Sequence, residues 1–251
     1  MSEEKIRYEL TLYGKKIVEK NLVSAGGGNI SAREKNFIYL SPSGYALDEI
    51  NEDQWVKINL NTGDVIDSPL KPTCEIEMHL VCYKSRQDIR AVIHTHPPYV
   101  VGVTSANIQI EPMFPDFVVY LGKKVPLLDY ITPGGKKLAK AIEKIIGNYN
   151  VVCLKNHGVI TTGLHLKEAF YRNILIEEAA KIIFISKTLG NPHFFTSEEK
   201  EEIENLPVEA YRRKIRKDEI LLLLCSVCKG FMERKSYLCS TLRNVSYSGN
   251  N

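Results

Sequence analysis

Two short apolar runs that end on histidine constrain this chain more than any other feature. Ala91-Val92-Ile93 leads into His94-Thr95-His96-Pro97, and Val151-Val152-Cys153-Leu154 leads into Lys155-Asn156-His157-Gly158. Each reads as a buried strand that delivers imidazole at its tip. Side chains at i and i+2 of a strand point the same way, so His94 and His96 face one spot. That is the geometry a chelated transition metal needs, and neutral imidazole is a common zinc ligand. Taken alone, the pair reads equally well as a half-exposed strand end beside proline. His157 supplies a third ligand if the intervening chain crosses over and returns to the same sheet; its plainer reading is a cap or turn histidine before Gly158. Three protein ligands with an open fourth position is the usual arrangement of catalytic zinc, whereas structural sites fill all four. His79 within a helix, and His165 and His193 in turns or helix starts, read as ordinary and are left out of the site.

The rest of the chain mixes helix and strand periods. Apolar Ile6, Leu10, Tyr13, Ile17 and Val18 recur every three to four residues and predict an amphipathic helix over about 4–21. Residues 36–40 and 55–60 are β-prone, and Asn61-Thr62-Gly63-Asp64 turns into a further short strand at Val65-Ile66. A second helix is expected from about Cys74 to Arg86, and the histidine strand follows it. Then come a proline-rich passage from Glu111 to Pro115, a strand near Val125-Leu128, a helix from about Gly134 to Ile146, the second histidine strand, and a long helix from Lys167 to Leu189. This order indicates one sheet covered by helices, as an α/β/α sandwich or an α+β domain.

Composition excludes several function classes. The chain has 251 residues, enough for a full core, and its 44% hydrophobic and 25% charged residues are those of a soluble globular protein. No stretch of about 18 apolar residues suggests a membrane span. The start, MSEEKIRYELTLYG, has no apolar core and no small-residue cleavage site, which argues for a cytoplasmic protein. A net charge of +3 is too weak to imply nucleic acid. Cysteines at 74, 82, 153, 225, 228 and 239 do not resemble a disulfide framework, and most are expected as free thiols.

Ser24-Ala25-Gly26-Gly27-Gly28-Asn29-Ile30-Ser31 is the second chemical signal, because consecutive glycines let backbone amides approach an anion. It is no nucleotide fingerprint: a helix precedes it, and no Gly-Lys-Ser/Thr follows. A flexible helix C-terminal turn is its plainer reading. Ser41-Pro42-Ser43-Gly44 adds hydroxyls and a glycine amide, and Lys71-Pro72-Thr73-Cys74-Glu75 adds a hydroxyl at the positive end of a helix. Three such loops suggest a phosphate pocket. Glu75 in the first turn then becomes the natural general base, its carboxyl tuned toward neutrality by an apolar wall; otherwise it only stabilises the helix dipole. Glu77 points about 200° around the helix from it.

Gly28-Asn29-Ile30-Ser31, Ser41-Pro42-Ser43-Gly44, Pro72-Thr73-Cys74-Glu75, His94-Thr95-His96-Pro97 and Asn156-His157-Gly158 together resemble the class II aldolase/adducin family, in order, over roughly residues 5–190. The resemblance implies a three-layer α/β/α sandwich with a central, largely antiparallel sheet. It also implies Zn²⁺ on His94, His96 and His157, acid/base catalysis by Glu75, and substrate phosphate held by Gly28, Asn29, Ser43, Gly44, Thr73 and Cys74. Cys74 departs from the family's usual second hydroxyl. The implied reaction is cleavage of a ketose 1-phosphate, fuculose-1-phosphate-like, to dihydroxyacetone phosphate and an aldehyde through an enediolate whose charge the metal stabilises. The group at the aldehyde oxygen is often a tyrosine or acid after the His-x-His strand, with a C-terminal tyrosine, partly from a neighbouring subunit. Met113-Phe114-Pro115-Asp116-Phe117 has no tyrosine there, which leaves Asp116, or a mere turn residue, and Tyr211 at the C-terminal end. The same resemblance leaves a ketose-phosphate 4-epimerase or a methylthioribulose-1-phosphate dehydratase-type lyase as alternatives. A non-catalytic adducin-like interaction domain is a reading of another class, opposed by the intact histidines and Glu75. The family also implies a homotetramer with active sites at subunit interfaces.

The expected division is a catalytic domain over 1–215 and an apolar helix and tail over 216–251. Within the latter, Cys225-x-x-Cys228 and Cys239 fit an apolar packing helix better than a second zinc site.

Overall fold

In a computed structural model, residues 2–66, 68–209 and 211 are described. The Leu-rich segment, its cysteines and the division at 215/216 lie outside them. Helix α1, Glu3–Glu19, starts at Ser2, whose hydroxyl accepts from the Lys5 amide, and Glu3 and Glu4 complement the dipole of its first turn. Seven strands then build one sheet: β1 Asn29–Glu34, β2 Phe37–Leu40, β3 Val56–Asn59, β4 Ala91–Thr95, β5 Leu127–Leu128, β6 Val151–Leu154 and β7 Gly158–Gly163. They lie in the order β3-β2-β1-β4-β7-β6-β5, and only β5 and β6 run parallel. The sheet is therefore largely antiparallel, and it is covered on both faces.

Strand alternation decides which residues meet which layer. Val92, Val152, Leu154 and Ile160 face α2, Ile76–Ser85, and α5, Gly135–Ile146. Ala91, Ile93, Val151, Cys153 and Val159 face the other layer: α1, α3 Pro98–Ser105, α4 Pro115–Leu121 and α6 Leu166–Leu189. His94 has the parity of Val92, so it points to the α2 side. Thr95 points the other way and donates to Asn173 of α6 at 2.7 Å. Helix α7, Ser197–Glu204, packs against α4 and begins in a capping box of Thr196 and Glu199.

Several expectations need correction. Val65-Ile66 is no strand; Val65 forms a single bridge to Ile58. The passage around 97–121 holds two helices, α3 and α4, each with a proline in its first turn, where proline is tolerated because that amide has no helical partner. β1 begins directly after the glycine run, which read only as a loop. β7 follows His157 at once through a three-residue turn, with Asn156 at φ 56° and the His157 amide donating to Leu154 O.

Candidate metal centre

Pairing places the site at one end of the sheet's centre. Asn29 of β1 lies opposite His94 of β4, and His94 lies opposite Ile160 of β7. Gly28 makes that approach possible. Its φ is 71°, and a Cβ there would lie 2.9 Å from the His94 carbonyl oxygen and 2.6 Å from Val23. Gly27 packs against the His96 ring and Gly158 against Thr95 and His96. Part of the glycine signal read as an anion nest therefore reflects close packing against the histidine strand. His96, one residue past β4, is fixed by its amide, which donates to Leu22 O at 3.1 Å. Helix α2 begins two residues later than expected, at Ile76, so Glu75 is its N-cap residue; its side chain turns inward and is 5% exposed.

Glu75, His94, His96 and His157 converge, their ligand atoms all within 4.8 Å of one another. His94 Nε2 lies 3.0 Å from His96 Nε2, 3.2 Å from His157 Nε2 and 3.2 Å from Glu75 Oε2. Glu75 Oε1 is 3.4 Å from His157 Nε2. Donors on a zinc tetrahedron are spaced by about 3.3 Å, given bonds of about 2.0–2.1 Å. The protons tell the same story. His94 Nδ1 lies 3.0 Å from Val159 O, so a neutral His94 donates there and leaves Nε2 as a bare lone pair facing three other acceptor atoms. Glu75 Oε1 and His157 Nδ1 are buried without a hydrogen-bond partner. Four lone-pair donors aimed at one point repel each other unless a cation lies between them, so the residues fit a divalent metal.

Electrostatics keep these donors available. Burial, with neighbouring His94 next in weight, pushes His96 and His157 down to about 4, so both are unprotonated near neutrality. Burial alone would raise the Glu75 carboxyl, but His94, the Asn29 amide and His157 outweigh it and hold it well below the usual range. The expectation of a carboxyl tuned toward neutrality is thus reversed: Glu75 is a carboxylate, the form a base needs.

The three loops read as a phosphate pocket are laced together beside this cluster. Thr73 N donates to Ser41 O, Ser43 N to Lys71 O, and Ile30 N to Ser41 Oγ. Pro42 bridges to Pro72, and Asn29 Nδ2 donates to Thr73 Oγ1 at 3.3 Å and to Glu75 Oε2 at 2.9 Å. Thr73 is buried, whereas Ser43, Gly44 and Cys74 are exposed. Asp116 and Tyr211 stand outside the cluster; Asp116 is exposed in the first turn of α4, and Tyr211 is 64% exposed. His79, set aside as ordinary, is 0% exposed and bonds Asn29 and Ser31. Burial, then His94, pushes it down to about 3, so it is neutral. The signal for it was its place four residues after Glu75, on the same helix face.

Residues 8–184 match the model of the Class II Aldolase and Adducin N-terminal domain. The chain belongs to the class II aldolase and adducin family. Among curated relatives of this family, a 5-deoxy-D-ribulose 1-phosphate aldolase of Bacillus thuringiensis serovar kurstaki is 35% identical over 202 residues, covering 80% of this chain and 94% of that one. An L-fuculose phosphate aldolase of Methanocaldococcus jannaschii is 36% identical over 172 residues, covering 68% and 92%. A solved L-fuculose 1-phosphate aldolase superposes with a TM-score of 0.76 at 33% identity, covering 81% of this chain and 96% of that one. That solved aldolase shares the sheet and its helical layers. Among the described residues no helix is long and apolar enough to cross a membrane.

Proposed function

We propose that this chain is a zinc-dependent aldolase that cleaves a ketose 1-phosphate, of the fuculose-1-phosphate kind, to dihydroxyacetone phosphate and an aldehyde. The observation that carries the reading is the buried convergence of Glu75 with His94, His96 and His157. The three histidines would hold the metal, which when bound acts as a Lewis acid that polarises a carbonyl. Backbone amides at Gly28 and Gly44, with Ser43 and Thr73, bind the substrate phosphate and fix the sugar's orientation at the rim. Glu75, an anion shielded from solvent, carries the proton to and from the carbon next to the carbonyl. Oε2 is occupied by the Asn29 amide, so Oε1, which has no hydrogen-bond partner, is the proton-carrying atom. We assign the aldehyde oxygen to Asp116 or Tyr211; both are exposed, as residues supplied across the subunit interfaces of a homotetramer would be. A cytoplasmic enzyme of sugar-phosphate metabolism fits this reading.

The test has two parts. Elemental analysis of the purified protein is expected to give one zinc per chain, and chelation is expected to lower its melting temperature, because a ligand that binds only the folded chain stabilises it. Zinc-loaded protein incubated with a panel of ketose 1- and 5-phosphates is expected to release dihydroxyacetone phosphate from a ketose 1-phosphate. Formation of an epimer, a dehydrated product or CO₂ from a phosphorylated keto acid instead would overturn the aldolase assignment. A correctly folded protein with no affinity for metal would overturn the metal centre.

A further inference from the structure

The hydrogen bonds behind Glu75 do not stop at Asn29. Asn29 Oδ1 lies 2.6 Å from His79 Nε2, His79 Nδ1 lies 2.7 Å from Ser31 Oγ, and Ser31 Oγ lies 2.9 Å from the Tyr83 hydroxyl. The Tyr83 hydroxyl is also 3.0 Å from Ser31 O, to which it donates. Ser31, His79 and Tyr83 are each 0% exposed and Asn29 is 4% exposed, so the series is shielded from bulk solvent. The proton positions follow from the two ends. At one end, both Asn29 amide hydrogens point to acceptors, Glu75 Oε2 and Thr73 Oγ1, which turns Oδ1 toward His79. Oδ1 can only accept, so the His79 hydrogen sits on Nε2. Nδ1 is then bare and takes the hydroxyl hydrogen of Ser31. Every bond in the series Ser31, His79, Asn29, Glu75 therefore donates in the same direction, toward the carboxylate.

We propose that His79 is a positioning residue for Glu75: its Nε2–H, with Nδ1 taken by the Ser31 hydroxyl, locks the Asn29 amide with its nitrogen toward the carboxylate. Were the hydrogen on Nδ1, the bare Nε2 would face Oδ1. Asn29 would then flip and set its oxygen against Glu75 Oε2, displacing the carboxylate from the histidine cluster. The chain thus does two things at Glu75. It holds Oε2 with a directed donor, and it leaves Oε1 as the one oxygen free to exchange a proton.

The proposal rests on Glu75 acting as the proton carrier, and the experiment separates the two. In zinc-loaded protein, His79→Leu removes the donor to Asn29, whereas His79→Gln keeps an N–H at the place of Nε2. His79→Leu is expected to lower kcat about tenfold or more, the usual scale for a residue behind the groups that do the chemistry, with KM and zinc content unchanged. His79→Gln is expected to recover most of that loss. Ser31→Ala frees the tautomer, so ¹⁵N NMR of His79 is expected to shift from a single Nε2–H form to a mixture, with a smaller loss of kcat. Equal losses in the two His79 variants, in step with a falling melting temperature, would overturn the proposal. Should His79→Leu not fold, full activity in Ser31→Ala with an unchanged tautomer would do the same. If the wild-type protein turns over none of the ketose phosphates, the aldolase reading fails instead. The NMR arm still decides the relay then, since His79 protonated at Nδ1 contradicts it.

Discussion

At Glu75 the two carboxylate oxygens have different surroundings. Oε2 accepts from Asn29 and faces His94, whereas Oε1 faces His157 and has no hydrogen-bond donor. Removing water around such a pair makes both the attraction to a cation and the cost of an unpaired oxygen larger than they are at a surface. Cys74, next door, is exposed and carries a thiol where the family pattern has a second hydroxyl. A thiol is a weak donor, and a hydrogen bond to a charged group contributes about 1.5–3 kcal/mol. Cys74→Ser is therefore expected to lower KM for a ketose 1-phosphate by roughly tenfold, that contribution divided by about 1.4 kcal/mol per decade and rounded down, with kcat little changed. Steady-state kinetics of the two proteins check it, and an unchanged KM would place the phosphate away from residue 74.

The elements explain how side chains from distant parts of the sequence come to one point. β1, β4 and β7 lie side by side, so Asn29, His94 and the turn carrying His157 share one end of the sheet, and α2 brings Glu75 and His79 over it. The histidine strands were legible because their apolar runs end where the chemistry begins. β1 was not, since the glycines that read as an anion-binding loop also let that strand start against His94. Helices α3 and α4 were missed although each opens on a proline, which at a helix start loses no helical bond. His79 was missed because a helical histidine has many ordinary explanations, and only its partners on β1 give it a role. The outer edge of the sheet is tied to α1 through Glu3, which pairs with Lys57 of β3 at 2.8 Å and Arg7 at 2.9 Å. The Lys57 bond, opposed by burial and aided by Arg7, lowers the Glu3 carboxyl to about 2 from 4.5. A folded value below the unfolded one means the pair's contribution is present above about pH 4.5 and is lost as pH falls toward 2. The pair is partly solvent-exposed, so screening keeps its effect small. Urea unfolding at a series of acid pH values is expected to show a shallower loss of stability for Glu3→Gln than for the wild-type protein; parallel curves would mean the ion pair contributes nothing.

For the whole molecule, architecture and site were legible to different depths. A largely antiparallel sheet between two helical layers followed from the order of elements and the family pattern, and the converging histidines from strand ends. What the aldehyde end of a substrate meets was not legible, because Asp116 and Tyr211 lie on the surface, where no partner among the described residues defines their roles. The proposed function has Glu75 moving a proton beside a metal held by three histidines. Deuterium incorporation from D₂O into dihydroxyacetone phosphate tests this without any aldehyde partner, in zinc-loaded wild-type protein and in Glu75→Gln. NMR is predicted to show deuterium entering at the carbon that bears the free hydroxyl in the wild-type protein. In Glu75→Gln the rate is predicted to fall by about 10²–10⁴-fold, the scale of a lost general base, with zinc still bound. Exchange at the wild-type rate in Glu75→Gln, or none in the zinc-loaded wild-type protein, would contradict it.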